Sequence, residues 1–223
     1  MILTSKEMKQ FTDKCKAKNF KKGDVVLYQG EVPTLAYIVK EGTIKVYNIT
    51  QNGEEQIVEF SNPGEFFPTP WLFKKAPGSL YYYEALTDIV LYTSSREALL
   101  EQLLQNQAIL KDVLDHYVTS YVSSMIRITA LEQSKASQKI LHTLYYLMQR
   151  YGKEIVPGVV RIKVDLTHQT IASLVGLSRE TTATELSILK KLKVLSYKRQ
   201  RYLVKKSLLM QLIGEDNFKD VKF

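Results

Sequence analysis

The stretch Thr167–Lys193, with TIASLVGLSRETTATELSILKKL at its heart, constrains the fold of this chain more than any other segment. Its spacing predicts a helix, a sharp turn and a second helix. Thr167 can cap the first helix, because its hydroxyl can accept from backbone N–H groups one turn in. Ile171, Leu174 and Val175 give that helix an apolar stripe. Gly176 sits where the chain must turn, and glycine tolerates the left-handed backbone that a tight turn needs. Ser178 can cap the second helix, whose inward side is Thr182, Leu186 and Leu189. Arg179, Glu180, Ala183 and Thr184 are left pointing outward from the first turns, the end of a recognition helix that meets base edges in the major groove. An ordinary helical hairpin has the same spacing, so the pattern alone leaves both readings open.

Charge separates them. Residues 1–106 hold 12 Lys and Arg against 13 Asp and Glu, whereas residues 107–223 hold 19 against 10. Residues 151–206 alone hold 12 against 4, enough to account for the whole net charge of +8. A solvated surface does not usually segregate charge in this way. A phosphate-binding surface does, because each neutralised phosphate releases counterions.

Length suits one large or two small domains, and 45% apolar residues suffice for real cores. No apolar run approaches a membrane span, and MILTSKEMKQ is too polar for a signal sequence, so a cytoplasmic protein with no membrane partner is expected. The single cysteine, Cys15, can form no internal disulfide and cannot hold an iron–sulfur cluster alone. His116, His142 and His168 are scattered, so no metal site is expected, and residues 1–115 contain no histidine to ligate a haem.

Residues 4–19 read as a short polar amphipathic helix. From 20 to 95 the pattern changes to short strands punctuated by glycine: Val25–Tyr28, Leu35–Val39, Thr43–Asn48, Glu55–Phe60, Tyr81–Ala85 and Ile89–Thr93. Asn52-Gly53 is a hairpin signal, since both residues accept positive φ. Strands at this spacing predict a sandwich or small barrel.

From about Glu97 to Glu132 the pattern is helical. Leu110, Leu114, Tyr117, Tyr121, Ser124, Ile128 and Leu131 alternate spacings of 4 and 3, a heptad seam whose natural partner is the same helix of a second subunit. Packing on its own domain is the alternative. Ser134 is placed as a cap and hinge before a helix Gln138–Tyr151. Gly152 and Pro157-Gly158 break the pattern, and Val159–Val164 can form a strand. After the helix pair, Val194–Tyr197, a turn Lys198–Gln200 and Arg201–Val204 read as a hairpin with a cationic tip of Lys198, Arg199 and Arg201. Together these predict a winged helix whose wing touches backbone phosphate. Residues 207–223 read as a closing helix and tail.

With these parts in this order, the chain resembles the cyclic-AMP receptor / fumarate–nitrate regulator superfamily of bacterial transcription factors. The resemblance covers nearly the whole length. It is strongest at Ile171–Leu189, where VGLSRET is similar to the family's recognition-helix signature, and visible at GDVVLYQGE (23–31), YIVKEGTIKVY (37–47) and PGEFF...WLF (63–73). It implies an α+β chain in three parts. Residues 1–106 form a double-stranded β-helix (jelly-roll, cyclic-nucleotide-binding-like) sensor domain, 107–133 a dimerisation helix, and 134–223 a winged helix-turn-helix. It also implies a non-enzymatic homodimer on a pseudo-palindromic operator, RNA polymerase as a partner, and a small-molecule effector sensed in the β-roll.

Carried over by residue, Arg179 and Glu180 match the family's base-reading positions, suited to guanine O6/N7 and cytosine N4. Thr184 stands where the family usually has an arginine, so the half-site is expected to differ there, and Ala183 lies on the same face. Gln169, Ser178 and Thr181 match phosphate-touching positions, and Thr167 and His168 are placed with them. The sensor departs further: Thr69 stands at the position of the glutamate that binds the ribose hydroxyl, and Ser79 at that of the arginine that pairs with the cyclic phosphate. Without that charge-assisted contact, cyclic AMP is not expected to bind. Phe66, Thr69, Trp71, Ser79, Leu80 and Tyr81, with Ser124 of the seam, mark a candidate effector pocket; a collapsed core with no ligand is the alternative. Pro68 and Pro70 are expected to limit helix formation here.

Two other classes of function fit the residues less well. An enzyme lacks its signs here: the chain has no nucleophile elbow, Walker loop or metal-ligand spacing. A non-sensing architectural DNA-binding protein is opposed by the Arg179–Glu180 pair, which suits sequence reading.

Overall fold

Along the strand Ala36–Glu41, successive side chains are buried on both faces: Ala36 and Ile38 join one apolar cluster, Tyr37 and Val39 another. That alternation is the period of a pleated strand, and it sets the architecture of the first half. The structure, a computed structural model, describes Lys9 and residues 11–214. It divides into two compact units, the first ending at Tyr117 and the second starting at Val118.

In the first unit, β1 (Lys16–Phe20), β3 (Ala36–Glu41), β6 (Phe66–Phe67) and β8 (Ile89–Ser94) form one antiparallel sheet in the order β1-β8-β3-β6. A second sheet has the order β2-β7-β4-β5, from β2 (Val25–Leu27), β4 (Ile44–Ile49), β5 (Glu55–Ser61) and β7 (Tyr82–Ala85). This is the jelly-roll-like fold expected. Tyr37, Phe67 and Tyr83 stack in series in one core, with ring centroids 5.3 and 4.7 Å apart. Burial pushes the Tyr83 phenol well above its ordinary value. The hairpin between β4 and β5 closes at Gly53, whose φ is +79°. Helices cover the other face of β3: Trp71, Leu72, Leu99, Leu103, Ile109 and Val113 pack with Ala36, Ile38 and Phe66.

Several local expectations are corrected. Lys16–Phe20 is a strand paired with β8, so the expected helix 4–19 is replaced there. Its pattern is almost wholly exposed, which leaves no period to read, and pairing with β8 decides its conformation. The helical residues described before it end at Thr12, and residues 4–8 and 10 lie outside the described set. Thr69–Leu72 is a short helix despite its prolines: Pro68 is its N-cap and Pro70 falls in its first turn, where a missing N–H costs nothing. The helical run from Glu97 is two helices, Arg96–Gln105 and Gln107–Glu132. Asn106 separates them in extended conformation, its Oδ1 accepting from the N–H groups of Ala108 and Ile109 at 3.0 and 3.1 Å.

Another correction lies in the second unit. Gly152 ends the helix as expected, but Gly152–Val156, not expected as a strand, is β9, paired with β10 (Val159–Ile162). A Cβ on Gly152 would overlap the Met148 carbonyl and Val160, so only glycine lets the strand leave the preceding helix this closely. That helix is Ala136–Tyr151, capped at Lys135 and not at Ser134. β11 (Leu195–Lys198) and β12 (Arg201–Lys205) complete a sheet of order β11-β12-β10-β9. The helix Lys206–Ile213 follows; the expected tail beyond Gly214 lies outside the described residues.

Along Gln107–Glu132, Leu110, Leu114, Tyr121, Ile128 and Leu131 are exposed, as is Val118. Ser124 is exposed and its hydroxyl donates to the Ser120 carbonyl. Tyr117 is turned into its own unit, edge-on to Phe66 and Phe73.

Candidate nucleic-acid interface

The helix pair is built by its caps. Thr167 Oγ1 accepts from the Thr170 N–H at 2.9 Å and starts the helix His168–Val175. Gly176 ends it in the left-handed region, φ +71° and ψ 42°, and its N–H donates to the Ala172 carbonyl at 2.9 Å. Ser178 Oγ accepts from the Thr181 N–H at 3.1 Å and opens the second helix, Arg179–Lys191. Thr182, Leu186 and Leu189 are buried on its inner side. The Thr182 hydroxyl has no hydrogen-bond partner there.

The outer side presents Arg179, Glu180, Thr181 and Thr184, all exposed, while Ala183 is half-buried. Thr184 Oγ1 donates to the Glu180 carbonyl at 3.0 Å. Ser178 and Thr181 are joined by their hydroxyls at 2.9 Å. Gln169 is exposed, its amide reaching Ser173 Oγ at 3.4 Å. His168 is half-buried, edge-on to Tyr197 of β11 at 5.5 Å. Tyr197 stacks on Tyr202, and Lys190 Nζ lies 4.7 Å from its ring centroid.

The hairpin β11–β12 turns through Arg199 and Gln200, with Lys198 and Arg201 as its last paired residues. The turn is one residue shorter than expected, since Lys198 belongs to the strand. Arg199 adopts φ +57°. The Leu166 N–H donates to the Gln200 carbonyl at 2.9 Å, which pins the tip beside the start of the helix pair. Lys198, Arg199 and Arg201 are exposed, and Arg201 lies 3.8 Å from Asp165. One exposed helix end and one cationic tip thus belong to the same unit, joined through His168, Tyr197 and Lys190.

Sequence reasoning missed Arg127. This residue of Gln107–Glu132 donates from Nη2 to the Leu174 carbonyl at 3.2 Å, holding the long helix to the first helix of the pair. Nothing local signals a contact across that sequence separation.

The candidate effector-pocket residues of the first unit fall in different surroundings. Phe66 and Trp71 belong to the core beneath the helices, with Thr69 between them in the chain, and Tyr81 packs on the other core. Ser79 is buried with its hydroxyl donating to the Tyr81 carbonyl at 2.7 Å, Leu80 is exposed, and Ser124 lies in the second unit. Among the described residues no helix is long and apolar enough to cross a membrane, and no group of three or more His, Cys, Asp or Glu could hold a metal ion.

Comparison with known proteins follows the same division. Residues 17–106 match the cyclic nucleotide-binding domain model, and residues 138–211 the Crp-like helix-turn-helix domain model. The chain is 30% identical over 168 residues to the transcriptional regulator SdrP of Thermus thermophilus, covering 73% of this chain and 76% of that protein. It is 28% identical over 201 residues to the HTH-type transcriptional regulator ArcR of Staphylococcus epidermidis, covering 89% and 86%. Among solved structures, it is similar to a CRP/FNR-family transcriptional regulator from Thermus thermophilus. The TM-score is 0.66 at 24% identity, covering 90% of this chain and 99% of that one.

Proposed function

This chain belongs to the CRP/FNR family of DNA-binding transcriptional regulators, and from that premise we propose that it acts as a homodimer reading a pseudo-palindromic operator through Arg179 and Glu180. The observation that carries this reading is the first turn of Arg179–Lys191, exposed at Arg179 and Glu180 and held by the Ser178 cap, in the same unit as the cationic tip. Arg179 pairs with guanine O6/N7 and Glu180 accepts from cytosine N4. Lys198, Arg199 and Arg201 hold phosphate, as do Thr167, His168, Gln169, Ser178 and Thr181 at the helix starts. The dimer forms along the exposed residues of Gln107–Glu132, because an apolar stripe of this kind needs a partner. RNA polymerase is the partner that the bound dimer recruits or blocks.

The sensor domain works without cyclic AMP. Thr69 and Ser79 carry no charge for a ribose or a cyclic phosphate, and their hydroxyls are engaged by the carbonyls of Phe66 and Tyr81. The stack of Tyr37, Phe67 and Tyr83 fills the core between the sheets, which favours a roll packed on itself over one that opens for a nucleotide. The deciding experiment is selection of bound sequences from a random duplex library by the purified, ligand-free protein. A two-fold symmetric motif is expected, and Arg179→Ala should lose preference at one base pair per half-site at a cost of about 1–3 kcal/mol. Enrichment without symmetry or sequence preference would identify an architectural binder and sink the reading.

A further inference from the structure

We infer that Thr184 reads a thymine through its methyl group, so that each half-site carries a T·A pair at the position this residue faces. The inference rests on assigning the outer side of Arg179–Lys191 to the major groove, and adds the chemistry of one contact. The Thr184 hydroxyl is drawn back along the helix to the Glu180 carbonyl, 3.0 Å away. Its single proton is spent there, so it cannot donate to guanine or thymine acceptors. With Oγ1 directed at the preceding turn, the other branch at Cβ, the γ-methyl, is what this exposed residue offers outward.

The next turn extends the same character. Ile188, four residues on and therefore on the same face, is 44% exposed although Lys190 and Lys191 flank it. The outer side of the helix thus has a charged end, Arg179 and Glu180, and an apolar continuation, Thr184 and Ile188. In the major groove only thymine presents an apolar group, its C5-methyl. A threonine with its hydroxyl proton spent and its methyl free matches that group; Oγ1 can still accept, from adenine N6 or cytosine N4, but such a contact would be indifferent to removal of the thymine methyl.

The test uses the full-length protein and the motif that random-library selection returns. Each thymine of a half-site is replaced in turn by uracil, which lacks only the methyl, and binding is measured by competition anisotropy. The proteins are the wild type, Thr184→Val, which keeps the methyl, and Thr184→Ser, which keeps the hydroxyl. At one thymine per half-site, uracil should weaken the wild type and Thr184→Val about fourfold, the effect of exposing one methyl-sized group, and leave Thr184→Ser unchanged. A uracil response identical in all three proteins at every thymine overturns the assignment. Arg179→Ala, run through the same selection, separates the two levels. If it leaves the motif unaltered, the groove assignment itself fails; an altered motif with no Thr184-dependent thymine removes only the methyl contact.

Discussion

The ring of Tyr117 stands edge-on to that of Phe66, with centroids 6.1 Å apart at 70°. A residue read from the heptad as part of an intersubunit seam is therefore packed into the core of its own unit, against Phe66 and Phe73. Tyr117→Phe keeps the ring and its edge-on contacts and removes only the hydroxyl, and should cost no more than about 1 kcal/mol. Tyr117→Ala also removes the edge-on contacts with Phe66 and Phe73, and should cost about 2–4 kcal/mol. The only tryptophan of the chain, Trp71, lies in the same cluster, so urea unfolding followed by its fluorescence reports this core directly. Equal losses for the two variants would mean that ring packing contributes nothing.

Tyrosine burial makes the fold sensitive to alkali. Desolvation raises the phenols of Tyr47, Tyr83 and Tyr202 well above the ordinary value, and pushes that of Tyr117 up to about 12. The folded state then holds protons that the unfolded chain releases near pH 10. Stability from these groups is complete below about pH 10 and is lost as pH rises through the folded values. Tyrosinate absorbance should show exposed tyrosines titrating first and the buried ones in a later cooperative step, coincident with loss of the circular dichroism signal. Complete titration near the ordinary value with the fold intact contradicts this.

Leu114 and Tyr121 are 63% and 65% exposed on Gln107–Glu132, so a charge at either position meets water in the isolated subunit and should leave its folding unchanged. In the proposed dimer the same charge is buried against the partner helix without a counterion. Leu114→Glu and Tyr121→Glu should each convert the protein to monomers in sedimentation velocity, with unaltered circular dichroism. Affinity for a two-half-site operator should fall to that for one half-site. A persistent dimer in both variants would move the interface off this helix.

What the sequence made legible depended on whether the signal was local. Thr167, Gly176 and Ser178 act where they stand in the chain, and the caps and turn read from them are present in the structure. Six of the eight strands of the first unit were visible because apolar residues cluster between glycine turns. β1 and β9 were not: their residues are largely exposed, and their conformation comes from pairing with β8 and β10. Pro70 misled because proline is read as a helix breaker, whereas in a first turn it removes only an N–H that has no acceptor. At the site, the outer side of Arg179–Lys191 followed from helical period. The anchoring of Arg127 to Leu174 and the Tyr197 bridge between His168 and Lys190 are long-range contacts, with no pattern to announce them.

Arg199 brings stability and binding into opposition. Its φ of +57° places a residue with a Cβ in the left-handed region at the hairpin tip, where glycine would sit without strain. Arg199→Gly should therefore leave the fold as stable or raise it by up to about 1 kcal/mol, since relief of strain offsets the greater entropy of glycine in the unfolded chain. The same change removes one cation from the tip, so DNA affinity should fall equally for all sequences, and the slope of log K against log salt should drop by about one. Lys198→Ala, at an unstrained strand position, should reproduce the loss of affinity and slope without any gain in stability. Thermal unfolding and anisotropy titrations at several salt concentrations measure both quantities on the same samples. If Arg199→Gly weakens binding selectively at particular base pairs, the tip reads sequence and its assignment to phosphate is wrong; if binding is unchanged at every salt concentration, the tip lies off the DNA.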